Sequence, residues 1–83
     1  MAKAFAVPMI SFEYGKATGT KGYWLFGEEA AAKGFAEKSN AKIPKGADRY
    51  EHAGQIQAFE PKPEAERMIA EGAFERDLWK VRA

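Results

Sequence analysis

The sequence contains no cysteine, and this absence removes several kinds of chemistry at once. Disulfide bonds, zinc sites built on thiolates and cysteine nucleophiles all require that residue. The lack of cysteine also favours a reducing compartment, so we expect the protein to be cytoplasmic. A domain of 83 residues without such cross-links depends for its stability on packing or on a partner.

Residues that commonly carry catalysis are scarce as well. There is one histidine, His52, and the only serines are Ser11 and Ser39. A zinc or iron site needs several ligands, and the glutamates are dispersed without the spacing of a calcium loop. Neither serine lies in a G-x-S-x-G pattern. We therefore expect no enzymatic activity, no catalytic residues, no metal site and no cofactor.

Long hydrophobic runs and a strong net charge are also missing. No stretch approaches the ~18 apolar residues that a membrane span needs, so we expect no membrane contact. The apolar N-terminal run is interrupted by Pro8 and lacks the cleavage pattern of a signal peptide, which favours a strand. The formal net charge is only +1, well short of the basic excess of a dedicated nucleic-acid binder.

The composition that remains is typical of one compact globular domain spanning residues 1–83. Hydrophobic residues make up 46% of the chain and charged residues of mixed sign 30%, which excludes a disordered segment. A chain of this length buries only about 60–65% of its unfolded surface, so it holds one modest core.

The N-terminal half predicts two strands followed by a helix. Apolar and polar side chains alternate towards the end of residues 3–14, which indicates a strand, and Pro8 predicts an edge position or a bulge within it. Tyr23–Phe26 predicts a second strand, with the glycine-rich stretch GKATGTKG between them as a long hairpin loop. Glu28–Ser39 predicts a helix that begins with two acidic residues.

The C-terminal half predicts a loop over residues 40–48 with Asn40 as a left-handed helix stop, and a strand over Arg49–Glu60. Gly54 indicates a bulge in that strand. A second helix is predicted to open at Pro63, because proline fits the first turn.

The apolar pattern of this second helix changes at Gly72. Phe74, Leu78 and Val81 fall on a helical face almost opposite to the preceding apolar residues. Either the helix ends at Gly72 and Asp77–Arg82 is a last strand, or one long helix carries a second apolar face. We favour the first alternative, which gives an α+β fold: a small antiparallel or mixed sheet, in the order β-β-α-β-α-β, with two helices on one face.

The stretch GKATGTKG does not have the spacing of a phosphate-binding loop. A Walker loop requires G-x-x-x-x-G-K-[ST] between a strand and a helix, so that consecutive amides converge on phosphate. Here Gly15 and Gly19 are one residue too close, the lysines are misplaced and a strand follows. We interpret the stretch as a hairpin loop, with contact to a polyanion through Lys16 and Lys21 as the alternative.

The candidate binding residues are therefore basic and aromatic side chains. Aromatics number eleven, more than so small a domain is expected to bury, and exposed tryptophan and tyrosine are common in interface hot spots. Basic side chains complete the set of candidate binding residues. The candidates are Lys16, Lys21, Tyr23, Trp24, Lys38, Lys42, Lys45, Arg49 and Trp79.

Three functional hypotheses follow. The first is a non-catalytic binding protein that occupies a surface of a larger macromolecule, with a protein as its partner. In size and composition alone, the chain is similar to small inhibitors encoded by bacteriophages and other mobile elements, such as anti-CRISPR proteins. The second is a small nucleic-acid-binding protein that uses the lysine-rich loop and the basic segment. The third is a structural subunit that forms a homodimer through Phe74, Leu78 and Val81.

Overall fold

The computed structural model describes residues 3–83 and confirms the α+β class. All strand pairs within that range are antiparallel. Two short 3-10 helices, Pro63–Ala65 and Leu78–Lys80, accompany the regular elements. The strands and α-helices are β1 (Ala4–Glu13), β2 (Lys16–Phe26), α1 (Glu29–Ala41), β3 (Arg49–Ala53), β4 (Gln57–Phe59), α2 (Glu66–Ala70) and β5 (Ala73–Glu75).

Strand β1 is the centre of the sheet. It pairs along one edge with β2, while β3 and β4 follow one another along its other edge. Strand β5 extends the sheet beyond β2. The predicted order of strands and helices is confirmed, with one difference: the strand predicted over Arg49–Glu60 is two short strands, β3 and β4.

That interruption explains how a proline fits into a central strand. The carbonyl of Pro8 accepts a hydrogen bond from the N–H of Gly54 at 2.8 Å. The nitrogen of a strand residue points to the same side as its carbonyl, so the missing N–H of Pro8 faces the break between β3 and β4. There residues 54–56 stand opposite Val7 and Pro8, which is a bulge. The bulge predicted at Gly54 is confirmed, and the edge position considered for Pro8 is wrong.

The predicted hairpin loop GKATGTKG is also wrong, because residues 16–22 belong to β2. The chain reverses instead at Tyr14 and Gly15, whose φ angles of 51° and 80° suit a two-residue hairpin turn. The register of β2 against β1 skips Thr18 and Lys21, so each is a bulge. Beyond its contact with β5 at Tyr23–Leu25, the outer edge of β2 has no partner strand within residues 3–83.

The two faces of the sheet carry separate halves of the core. Successive side chains of a strand point to opposite faces. Val7 and Met9 pack with Ala32 of α1 on one face, which we call the helix face. Ala4 and Ala6 pack on the other, C-terminal face with the chain that follows β4. The expectation that both helices share one face is therefore wrong, because β1 is apolar on both sides and each side is covered.

The C-terminal residues follow neither of the two predicted alternatives. Gly72, with a φ of 82°, redirects the chain after α2 into β5, and a 3-10 helix stands where a last strand was predicted. Leu78 and Val81 are buried in the core on the C-terminal face. Phe74, on β5, pairs with Trp24 of β2 and lies on the helix face. The homodimer face predicted from Phe74, Leu78 and Val81 does not exist, because two of the three are core residues.

Asn40 does not end α1 in a left-handed conformation as predicted. It lies within the helix, and its side chain bonds the backbone of Ala53 instead. The amide nitrogen donates to the carbonyl of Ala53 at 3.2 Å, and the amide oxygen accepts from its N–H at 2.8 Å. These bonds join the end of α1 to the outer edge of β3.

Candidate binding surface

Tyr23 and Trp24 are neighbours on β2 and therefore lie on opposite faces of the sheet. Trp24 pairs with Val7 on the helix face and is 37% exposed. Tyr23 pairs with Pro8 and packs, half-buried, against the core on the C-terminal face. Of these two predicted binding residues, only Trp24 belongs to a surface on the helix face.

Four aromatic side chains form a continuous row on the helix face, which we call the aromatic row. The centroids of Phe26 and Phe35 are 5.4 Å apart, those of Phe35 and Trp24 5.6 Å, and those of Trp24 and Phe74 5.1 Å. Trp24 and Phe74 are 37% and 44% exposed, whereas Phe26 and Phe35 are half-buried. The row thus joins β2, α1 and β5, and its exposed end lies at the β5 side of the sheet.

The ring of Phe74 lies directly over Gly22, where the absence of a side chain leaves room for it. A Cβ atom built on Gly22 would fall 2.8 Å from Cε1 of Phe74 and nearer still to its Cζ, so no larger residue fits under the ring. Sequence reasoning missed this contact, because Phe74 lies more than 50 positions from Gly22. A glycine inside a strand is the signal that indicates such a close approach.

Two lysines lie on the same side of α1 as Phe35 of the aromatic row. Phe35, Lys38 and Lys42 are three or four residues apart and share one side of the helix. Ala31 continues the same side and lines a groove of about 470 Å³ together with Phe26. The predicted residues Lys38 and Lys42 are therefore on the side of α1 that faces β2.

The hydrogen bonds of Asn40 define the position of the C-terminal end of α1 along the strands. Ala53, which Asn40 bonds, pairs with Met9, and Met9 pairs on its other side with Gly22. The C-terminal end of α1 is thus level with Gly22 along the strands, but it lies at the outer edge of β3, on the opposite side of the sheet from Phe74 on β5. Lys38 is exposed there, and it makes no ion pair with any residue in the described range 3–83.

Further from the aromatic row, the helix face is charged but largely neutralised. Nζ of Lys21 lies 2.9 Å from Oε2 of Glu51. Nε of Arg49 lies 4.0 Å from Oε1 of Glu13, and its guanidinium stands 5.9 Å from the centroid of the exposed ring of Tyr14. Lys21 and Arg49 therefore have partners in the structure. Lys16, Lys38 and Lys42 have no ion-pair partner among residues 3–83, and we call these three the basic flank.

Lys45 and Trp79 lie apart from this surface. Lys45 is in the loop after α1 and lines a different groove, together with Tyr50 and His52. Trp79 is 66% exposed, but its neighbour Leu78 is anchored in the core on the C-terminal face. Nζ of Lys80 stands 5.8 Å from the centroid of the Trp79 ring. The predicted binding residues thus divide between at least two surfaces.

The single histidine lies within a cluster of aromatic rings. The half-buried ring of His52 packs edge-on against Phe12, with centroids 5.9 Å apart, and Phe12 stacks on Tyr50 at 5.2 Å. Within residues 3–83, no group of three or more histidine, aspartate or glutamate side chains is close enough to hold a metal ion. The helix face thus carries aromatic rings in mutual contact and lysines without an ion-pair partner among residues 3–83.

No family model matches the chain, and neither a curated protein nor a solved structure is significantly similar to it. The functional argument therefore rests on the geometry of the aromatic row. Among residues 3–83, no helix combines the length and the apolar character needed to cross a bilayer.

Proposed function

We propose that the protein is a non-catalytic binding protein that contacts a larger protein through the aromatic row. The observation that carries this proposal is that Trp24 and Phe74 are more than a third exposed yet fixed by ring contacts of 5.1 and 5.6 Å. Exposed aromatics that are held rigidly lose little side-chain entropy on binding, and aromatic residues dominate interface hot spots.

The same contacts favour a protein partner over a nucleic acid. Bases bind single-strand proteins by stacking on open ring faces. The indole of Trp24 instead contacts two other rings, Phe35 at an interplanar angle of 51° and Phe74 at 60°, so part of its surface is already occupied. Such a cluster of rings is well suited to packing against an apolar surface of another protein. The unpaired lysines of the basic flank support nucleic-acid binding as the second candidate.

One way in which a small protein acts on a larger partner is to block the surface that it covers. We therefore extend the proposal to an inhibitory role of the kind found in small proteins of phages and mobile elements, including anti-CRISPR proteins. Support for this extension comes from the small size, the absence of cysteine and the binding surface. The cytoplasm is the compartment that a cysteine-free domain suits.

The test is quantitative capture from an extract of the source cells, with the captured proteins measured by mass spectrometry. Immobilised wild-type protein is compared with Phe74→Ala and with Trp79→Ala, a matched loss of an exposed aromatic away from the row. We expect the same protein on the wild type and on Trp79→Ala. Recovery on Phe74→Ala should fall by about 30-fold, the effect of losing a hot spot of about 2 kcal/mol.

Two results would contradict the proposal. Equal recovery on all three baits would show that the aromatic row is not the contact surface. Capture that disappears after nuclease treatment, with affinity that falls steeply with salt, would favour the nucleic-acid alternative.

A further inference from the structure

We infer that a groove at the outer edge of β3 binds a small aromatic anion, a planar ring that carries a phosphate or a carboxylate. The groove lies beside the chain that follows α1, and five of its lining residues carry the argument: Ile43, Pro44, Lys45, Tyr50 and His52. We call it the turn groove. No residue of the aromatic row lines it, so this site is independent of the proposed function.

Tyr50 provides a ring that is already stacked on one side. Phe12 of β1 pairs with Tyr50 of β3, and their rings stack with planes 8° apart and centroids 5.2 Å apart. Tyr50 and His52 line the turn groove, whereas Phe12 does not. The side of Tyr50 that borders the groove is therefore the one turned away from Phe12. A planar ring placed there would extend an existing stack, which an aliphatic ligand cannot do.

The rest of the lining comes from a turn that is fixed by its own backbone. The carbonyl of Pro44 accepts a hydrogen bond from the N–H of Ala47 at 3.1 Å. Gly46, with a φ of 80°, is the third residue of this turn, where a type II turn requires a positive φ. Ile43 and Pro44 thus contribute apolar surface beside Tyr50, and Lys45 follows directly.

The polar side chains of the turn groove have no partner in the part of the chain that the structure describes. Nζ of Lys45 makes no ion pair with residues 3–83. In the same range, the imidazole of His52 and the hydroxyl of Tyr50 make no hydrogen bond. All three groups are therefore available to a ligand.

Charge distinguishes the turn groove from its counterpart near the aromatic row. Among the described residues, Lys45 is its one lining residue with a full charge, and the acidic residues nearest in sequence, Asp48 and Glu51, are not part of the lining. The groove of about 470 Å³ that Phe26 lines has Glu28 and Glu71 in its walls. An anion in the turn groove thus meets a cation and no lining carboxylate from residues 3–83.

The size of the turn groove favours one small molecule over a strand. Its volume is about 450 Å³, within the range of sites for single ligands. Such a volume accommodates one base with its sugar and phosphate, but not a run of stacked bases. A mononucleotide is therefore a suitable probe for this class of ligand.

The experiment titrates ¹⁵N-labelled protein with adenosine 5′-monophosphate, adenosine, ribose 5-phosphate and a short deoxyadenosine strand. We expect the monophosphate to shift the amide resonances of Gly46 and His52 saturably. It should bind about fivefold more tightly than adenosine, since only the monophosphate presents a charge to Lys45. Ribose 5-phosphate, which has the charge but no planar ring, should bind at least about tenfold more weakly. The strand should bind no more tightly per nucleotide than the monophosphate.

Two variants separate the charge from the ring. Lys45→Gln should weaken binding of the monophosphate about fivefold and leave adenosine unchanged. The matched control is Lys42→Gln, an equal loss of charge at a residue outside the lining, with an expected effect of less than about twofold. Tyr50→Leu should weaken both ligands about tenfold by removing the stacking surface. Circular dichroism and urea midpoints check that each variant is folded under the conditions of the titration.

The inference is overturned if no probe shifts Gly46 or His52, if adenosine or ribose 5-phosphate binds as tightly as the monophosphate, or if Lys45→Gln and Lys42→Gln have the same effect. Binding by the strand alone, or shifts centred on Trp24, would also overturn it. These outcomes are separate from failure of the proposed function. Phe74→Ala should bind the monophosphate like the wild type, even where it no longer captures a protein partner.

Discussion

Replacing Gly22 by alanine tests the geometry on which the aromatic row depends. Gly22 has no positive φ, so its backbone accepts alanine. The new Cβ would fall within 3.0 Å of Phe74 ring carbons, a separation that real Cβ atoms do not adopt. The ring of Phe74 must therefore move away from Gly22, and we expect its contact of 5.1 Å with the ring of Trp24 to be lost.

The size of the effect follows from the burial of Phe74. The residue is 44% exposed, so about half of the 150–250 Å² that an aromatic side chain can bury is at stake. Roughly 100 Å² at about 25 cal/mol per Å² corresponds to roughly 2.5 kcal/mol. Alanine restores some strand propensity, worth up to about 1 kcal/mol. We expect the free energy of unfolding to fall by about 1–2 kcal/mol.

The assay is urea denaturation followed by circular dichroism and tryptophan fluorescence. Gly34→Ala is the matched control, because a Cβ there meets no atom within 4 Å and helical alanine adds up to about 1 kcal/mol. The decisive comparison is Gly22→Ala in a Phe74→Ala background, where the clash is absent and little cost remains. An equal cost in both backgrounds would refute the reasoning, since the loss would then come from the strand itself.

Two further substitutions test other parts of the fold. Asn40→Ala removes two hydrogen bonds to Ala53 and should lower the free energy of unfolding by about 2 kcal/mol in urea denaturation. The control Ser39→Ala should change it little. Equal effects would contradict the role given to the side chain of Asn40. Gly15→Ala forces a side chain into a backbone with φ of 80° and should cost about 1 kcal/mol, with the midpoint moving opposite to that of Gly34→Ala; a neutral result would show that the turn can rearrange.

Local patterns in the sequence were sufficient to predict most element types. The alternation from Met9 to Tyr14 identified β1, and the predicted helix over Glu28–Ser39 differs from α1 by one or two residues at its ends. These predictions succeed because they depend on neighbours only a few positions apart. The apolar character of Phe5 to Met9 on both faces likewise agrees with the burial of both sides of β1.

The errors arise where contacts distant in sequence decide the structure. Residues 16–22 resemble a loop because glycine is a poor strand former, yet they pair with β1 as part of β2. The turn falls instead at Tyr14, a residue that rarely takes a positive φ. The placement of Phe74 over Gly22 depends on the pairing of β5 with β2, which no local pattern records.

The candidate surface was predictable only in part, for the same reason. Trp24, Lys38 and Lys42 were predicted as binding residues, and the structure brings them to one side of the sheet. Tyr23 was also predicted as a binding residue, but strand alternation places it on the opposite face from Trp24. Trp79 is exposed, but it lies away from the aromatic row. Which exposed side chains share a surface depends on topology, which the composition does not contain.

The bulges at Thr18 and Lys21 affect whether identical chains can pair edge to edge through β2. A strand edge with evenly spaced amides and carbonyls is a template on which identical chains can add without limit. The two extra residues put the free edge of β2 out of step with a straight strand, and Lys16 and Lys21 add positive charge along β2. Growth into fibres is thereby hindered at the one long edge that the fold leaves uncovered within residues 3–83.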